Sequence, residues 1–317
     1  MSNPLADSHN PKFQWSFLHP RNAGHWLVIG LLWLLAFVPY QLRDRLATLL
    51  SRLTGRKGSA SRRKAEINLK LCFPEWSQQQ VDQVLDTMFA RAAQVMLAYG
   101  VLSARSKSYL EKKVRLHGEQ HLLPLIEAGK PVVLMAPHCW AMEFPGVLLA
   151  SRGYRWTTMM KPDPNPLMDW AMLLGRNRFP GKLYTRQHGI KAVLDRLNEG
   201  YLAYYLPDQD HGMAKSEYVP FFATHKATLP GLGRMVDATG AVVVPISAGY
   251  DPQTGLFEGY IYPPVTDLPS GDRATDARIM NRELEQMLSR DPAQYMWILK
   301  ILKSRPEGEA DPYRRQA

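Results

Sequence analysis

From Gly129 onward, short apolar runs alternate with stretches whose apolar residues recur at helical spacing, and few folds accommodate that pattern. The runs fall at 132–135, 156–160, 201–206, 242–246 and 257–262. Between and after them the spacing predicts helices over 141–150, 166–176, 190–198, 229–238, 277–288 and 292–303. Strands separated by helices join through right-handed crossovers, so the expectation is an α/β fold with a mixed, mainly parallel sheet flanked by helices. The run 132–135 is wholly apolar, as suits a strand covered on both faces.

The first third of the chain has a different character. Residues 1–21 are polar, contain Pro4, Pro11 and Pro20, and read as a loose lead-in. Residues 22–40 form a hydrophobic membrane segment, uncharged from Ala23 to Val38, with Trp26, Trp33 and Tyr40 near its flanks. It falls just short of the ~20 residues that span a bilayer upright. A spanning helix, a re-entrant segment and a buried helix are all open readings of this expected anchor. Its distance from the start and the lack of a small-residue cleavage site argue against a signal peptide.

Residues 41–115 read as a basic helical region. Arg43, Arg45, Arg52, Arg56, Lys57, Arg62, Arg63, Lys64 and Lys70 share a stretch with only Asp44 and Glu66 as acids, in a chain of net charge +10. Such a block fits nucleic acid, anionic lipid or an acidic protein. Lying directly after an apolar segment, it favours a membrane surface and places the following domain on the cytoplasmic side. Ser77 with Gln80 makes a capping box, and Val81, Val84, Leu85 and Met88 follow at helical spacing. The α/β domain is expected over 116–305, and a basic tail over 306–317. Two cysteines, Cys72 and Cys139, make no disulfide framework and no zinc spacing, which suits a reducing compartment.

The apolar run 132–135 leads through Pro137 to His138 and, five residues later, Glu143. In open α/β sheets ligands bind beyond the carboxyl ends of strands, where His138 would emerge. On one continuous helix the two side chains would diverge by roughly 140°. The expectation is therefore His138 in a turn, with Glu143 reaching back from the first turn of a helix containing Pro145. A carboxylate on one ring nitrogen fixes the tautomer and lets the other nitrogen take a proton from a hydroxyl. Cys139, adjacent to His138, reads as a buried, inert cysteine.

Two more clusters follow. Asn165 with Arg176, Arg178 and Arg186 suits capture of phosphate or carboxylate beside the catalytic strand. Asp208 and Asp210, in a loop ending at Gly212, could orient a basic substrate-binding residue, bind a divalent cation or shape a turn. Phe221 to Thr228 reads as the entry to a helix whose amino end could hold an anion.

With these residues in view, the chain resembles the late acyltransferases of lipid A biosynthesis, most closely the Kdo-lipid A myristoyltransferase branch. The blocks that carry the resemblance are Phe17-Leu-His-Pro-Arg21, Ser61-Arg-Arg, Ile67 to Glu75, His138 to Glu143, Asn165-Pro, Arg186 to Lys191, Tyr204 to Gly212, Phe221-Phe-Ala-Thr, Lys226 to Pro230 and Tyr295 to Lys300. The resemblance implies a glycerolipid-acyltransferase type of α/β fold, His138 as base with Glu143 as partner, and no metal or cofactor. It further implies transfer of a myristoyl or lauroyl chain from acyl carrier protein to a 3-hydroxyacyl hydroxyl of a Kdo-linked lipid A precursor. The implied location is the cytoplasmic face of a bacterial inner membrane. By position, Arg186 matches the arginine of the second family block, and Asp208 and Asp210 match its Asp-x-Asp loop. The rival readings are a membrane-associated, metal-dependent glycosyltransferase using Asp208 and Asp210, and a non-enzymatic basic lipid-binding protein.

Overall fold

The computed structural model describes residues 7–306 and 308–314. Residues 1–6 of the expected lead-in, and 307 and 315–317 of the expected tail, lie outside the described residues. The helical preface runs α1 (Ala23–Leu35), α2 (Tyr40–Thr54), α3 (Ala60–Cys72), α4 (Gln78–Ala98), α5 (Val101–Ala104) and α6 (Lys107–Lys113). The α/β region continues β1 (Val114–His117), α7 (Leu123–Glu127), β2 (Val132–Met135), α8 (Glu143–Ser151), β3 (Trp156–Met159), α9 (Pro166–Arg176), β4 (Gly181–Tyr184), α10 (Gly189–Asn198) and β5 (Leu202–Tyr205). A hairpin of β6 (Glu217–Phe221) and β7 (Thr224–Thr228) precedes α11 (Gly231–Thr239), β8 (Val242–Asp251), β9 (Leu256–Ile261) and α12 (Arg273–Arg290).

Seven strands form one sheet in the order β1-β9-β8-β2-β5-β3-β4, parallel throughout except where β8 pairs antiparallel with β9. The expected mixed, mainly parallel sheet flanked by helices is thus observed. β2 lies at its centre and is buried along its whole length, as the uninterrupted apolar run requires. The edge strands β1 and β4 were not foreseen. Each is four residues long and only partly buried, so neither shows a continuous apolar run.

One predicted helix is absent, and the approach to another takes an unforeseen form. Phe221 to Thr228 leads to α11, as expected, but as part of the β6–β7 hairpin, which turns through Phe222 and Ala223, with Phe222 at a positive φ of 48°. Hairpins of this length favour Asn-Gly or Gly-Gly at the turn, so Phe-Ala gives no signal. Residues 292–303 make only a short 3₁₀ turn, Pro292–Gln294, and then a non-helical strap with turns at 297–298 and 301–302. Its backbone is taken up by the turn after β2: Cys139 bridges Tyr295, Trp140 N–H donates to Gln294 O at 3.0 Å, and Met296 N–H to His138 O at 2.9 Å. Bonds to a neighbouring loop replace the intrahelical ones.

The preface is not a separate layer. Leu69, Val81, Leu85 and Met88 share a buried cluster with Val133 of β2 and Trp297 of the strap. The capping box at Ser77 and Gln80 is present at the start of α4. The lead-in is less loose than expected from His9 onward. His9 N–H donates to Leu183 O at 2.7 Å, and its ring meets Asp169 at 2.8 Å.

The apolar segment departs furthest from expectation. Helix α1 has 13 residues, about 20 Å at ~1.5 Å per residue, against a hydrocarbon core of ~30 Å. No helix among the described residues is long and apolar enough to cross a membrane, so the anchor expected over 22–40 is not a spanning helix here. Instead the chain turns at Ala36–Pro39 into α2. Helix α1 packs so tightly that a Cβ on Gly100 would lie 2.2 Å from the Leu32 carbonyl oxygen, which only glycine permits. The outer faces of both helices expose Leu27, Leu31 and Leu34, then Leu42, Leu49 and Leu53.

Candidate active site

β2 and β5 are parallel neighbours with Met135 opposite Tyr205. Three residues beyond each of these stand His138 and Asp208, so the register alone brings them together. The Asp208 carboxylate is fully buried and accepts twice from one residue: from His138 N–H at 2.9 Å and from His138 Nδ1 at 2.5 Å. A carboxylate accepts only, so Nδ1 carries the proton and Nε2 is left with a lone pair. Nε2 lies 3.3 Å from the side-chain amide of Gln209, and His138 borders a cavity of about 860 Å³.

Burial by itself would lower the pKa of His138, but the charge of Asp208 and the bond to it prevail and raise it above the ordinary histidine value. Asp208 is the mirror case: burial would raise its carboxyl, yet His138 holds it below the usual carboxylate range. The pair is therefore built to stabilise an imidazolium.

The expected partner of His138 is thus corrected. Glu143 does begin α8, but it is engaged with Arg176 rather than with the imidazole. Arg176 Nε donates to Glu143 Oε2 at 2.8 Å and Nη2 to Oε1, a bidentate pair on the cavity wall. Burial disfavours the Arg176 charge, and the Glu143 carboxylate more than restores it. At helical spacing from a turn, Glu143 points across to α9, whereas parallel register brings Asp208 to His138. Glu143 still adds negative charge near His138.

The remaining candidates divide. Arg186 borders the cavity. Asn165 caps α9, its Oδ1 accepting from Leu167 N and Met168 N, and Nδ2 meets His25 Nε2 at 3.2 Å; it does not border the cavity. Arg178 donates to the backbone carbonyls of Arg105 and Leu102 and is structural. Asp210 accepts from Ser304 N at 2.6 Å and Ser304 Oγ at 2.7 Å, tying the strap to the loop. Asp208 and Asp210 therefore face separate partners, and no group of three or more His, Cys, Asp or Glu that could hold a metal ion occurs among the described residues. The metal-dependent glycosyltransferase reading loses its basis.

Sequence reasoning missed several residues. Lys161, Lys215 and Arg234 join Arg186 around the cavity, and none of the four forms an ion pair among the described residues. Lys161 stands just beyond a strand end, where it could have been sought. Lys226 is fully buried in β7, donates to Thr228 Oγ1 at 3.3 Å, and is pushed down to about 8 by burial against the attraction of Asp208 and Asp210. Cys139 is buried and its thiol is pushed up to about 12, chiefly by burial, so the inert reading agrees with the structure.

Residues 10–304 match the family model of bacterial lipid A biosynthesis acyltransferases. A lipid A biosynthesis acyltransferase of Haemophilus influenzae is 44% identical over 297 residues, covering 94% of this chain and 93% of that protein. The lipid A biosynthesis myristoyltransferase of Escherichia coli is 41% identical over 306 residues (96% and 95%), and the lauroyltransferase of the same organism 30% over 307 (96% and 99%).

The Glu143–Arg176 pair makes a stability prediction. Arg176→Met strands a buried carboxylate and should destabilise the protein by ~3–5 kcal/mol, whereas Glu143→Leu with Arg176→Met should regain most of that loss. Denaturant unfolding of the four proteins in a double-mutant cycle checks this, and additive losses would mean that the two do not act as a unit.

Proposed function

The chain belongs to the bacterial lipid A biosynthesis acyltransferase family, and on that premise we propose a direct acyl transfer in which His138, oriented by Asp208, is the general base. The observation that carries this reading is the double acceptance by buried Asp208 from His138, which leaves Nε2 unprotonated at the border of the cavity. The acceptor is a hydroxyl of a 3-hydroxyacyl chain on a Kdo-linked lipid A precursor. The donor is a myristoyl or lauroyl thioester on acyl carrier protein. The hydroxyl proton passes to Nε2 as the oxygen bonds to the thioester carbonyl carbon. Collapse of the tetrahedral adduct breaks the carbon–sulfur bond, and the imidazolium returns the proton to the leaving thiolate. Asp208 stabilises the imidazolium between those steps.

The charges fit such substrates. Lys161, Arg186, Lys215 and Arg234, without carboxylate partners among the described residues, suit the anionic groups of the acceptor. An excess of positive charge would also steer an acidic carrier protein to the surface.

The proposed location is the cytoplasmic face of the inner membrane, reached without a spanning helix. Leu27, Leu31 and Leu34 of α1 and Leu42, Leu49 and Leu53 of α2 form an outward apolar surface beside Arg45, Arg52 and Arg56. Leucines with neighbouring arginines are the composition of an interfacial helix on anionic lipid.

Three experiments follow. With purified enzyme, acyl-carrier-protein thioester and lipid A precursor, His138→Ala should retain the fold and lose at least ~10²-fold in transfer; near-normal transfer would refute the base. Because neutral imidazole is the active form and Asp208 raises its pKa, activity should fall as pH drops through a value above ~6.5. In Asp208→Asn that acidic limb should move to lower pH, with kcat reduced; a limb that stays in place would assign the titration to another group. For the membrane, Leu31→Glu with Leu49→Glu should abolish flotation with anionic vesicles and leave melting unchanged, and undiminished flotation would rule out this face.

A further inference from the structure

The cavity enters the fold along one face of the sheet. Thr158 of β3 and Tyr204 of β5 are register partners, and Trp156 lies two residues before Thr158, hence on the same face. From Met160 to Trp156 is four residues, about 13 Å of strand at ~3.3 Å per residue. All four residues border the cavity, and across from them stands Gly146 of α8. Lys161, Arg186, Lys215 and Arg234 lie elsewhere on its border, and Arg176, which meets Met160 Sδ at 3.4 Å, is neutralised by Glu143, so this stretch is the part suited to hydrocarbon.

Three glycines border the cavity, and two have a local reason to be glycine. Gly189 has a positive φ of 72°, and a Cβ on Gly231 would lie 2.4 Å from the Tyr205 hydroxyl. Gly146 has neither. It sits inside a helix, where glycine is less stable than alanine. A Cβ there would meet only a Tyr204 ring carbon at 3.9 Å, an ordinary contact. What a side chain at 146 would occupy is the cavity itself.

The floor opposite Gly146 is fixed. The Tyr204 hydroxyl donates to Met142 O at 3.0 Å, and Trp156 is 7% exposed and packed against Gly181, where a Cβ would fall 2.4 Å from the indole nitrogen. Neither ring has room to withdraw from a new side chain.

We propose that Gly146, facing Tyr204 in the cavity that Trp156 also borders, sets the length of acyl chain that the enzyme accepts. The inference rests on the acyl-transfer reading above: the methyl end of the chain lies over Gly146, and filling that position shortens the groove.

The test compares full-length wild-type enzyme, Gly146→Ala and Gly146→Val on a series of saturated acyl-carrier-protein thioesters of increasing length, with kcat/KM for each and a melting curve for each protein. Both variants should prefer shorter donors, with the short-to-long ratio rising by about 10–200-fold per methylene excluded, and Gly146→Ala should melt no lower than wild type. Active variants with an unshifted preference would overturn the proposal. So would variants inactive on every donor, since a shortened groove spares short chains. If wild type itself transferred no acyl chain, the acyl-transfer reading would fail instead, and with it the premise.

Discussion

One buried carboxylate organises the centre of this protein. Asp208 has no access to solvent, and an isolated charge in that position would be expelled or neutralised. It is kept because His138 supplies two donors, one from the backbone and one from the ring. The backbone bond holds the turn after β2 against the loop after β5; the ring bond sets the imidazole. A single group thus closes the sheet's carboxyl end and aims the imidazole, so fold and proposed chemistry share one constraint.

The C-terminal strap completes that arrangement from outside the sheet. Tyr295 and Met296 pair with the turn that carries His138, and Ser304 binds Asp210, two residues beyond Asp208. Trp297, fully buried, fixes the strap against Phe73 and the preface helices. Both loops that make the dyad are therefore braced by residues distant in sequence. Preorganisation of this kind depends on tertiary contacts and is seldom visible in local pattern.

That explains what was legible in the sequence. The central strands were readable because burial on two faces writes an uninterrupted apolar run, and α9 was located residue for residue because Asn165-Pro166 starts it and Arg176 ends it. The edges β1 and β4, only partly buried, wrote no such run. The position of His138 in a turn before α8 followed from spacing, but its partner did not: proximity in sequence favoured Glu143, whereas strand register placed Asp208. The Asp-x-Asp loop was recognised as important while its division of labour, one acid to the imidazole and one to the strap, needed coordinates. The 16 uncharged residues from Ala23 to Val38 looked like an anchor because length and hydropathy carry no record of the turn at Ala36–Pro39.

On the proposed membrane location, the packing of α1 gains a meaning beyond attachment. Trp26 of α1 meets Trp170 of α9 edge-on at 6.0 Å, and His25 meets Asn165, the cap of that helix. Helix α9 in turn supplies Met172 and Arg176 to the cavity wall. The helix that would rest on lipid is therefore in direct contact with the helix that walls the cavity. An acceptor whose acyl chains lie in a bilayer needs to expose only one hydroxyl to His138. A surface-lying α1 keeps that distance short, whereas a spanning helix would fix the chain to the membrane without placing the cavity beside it.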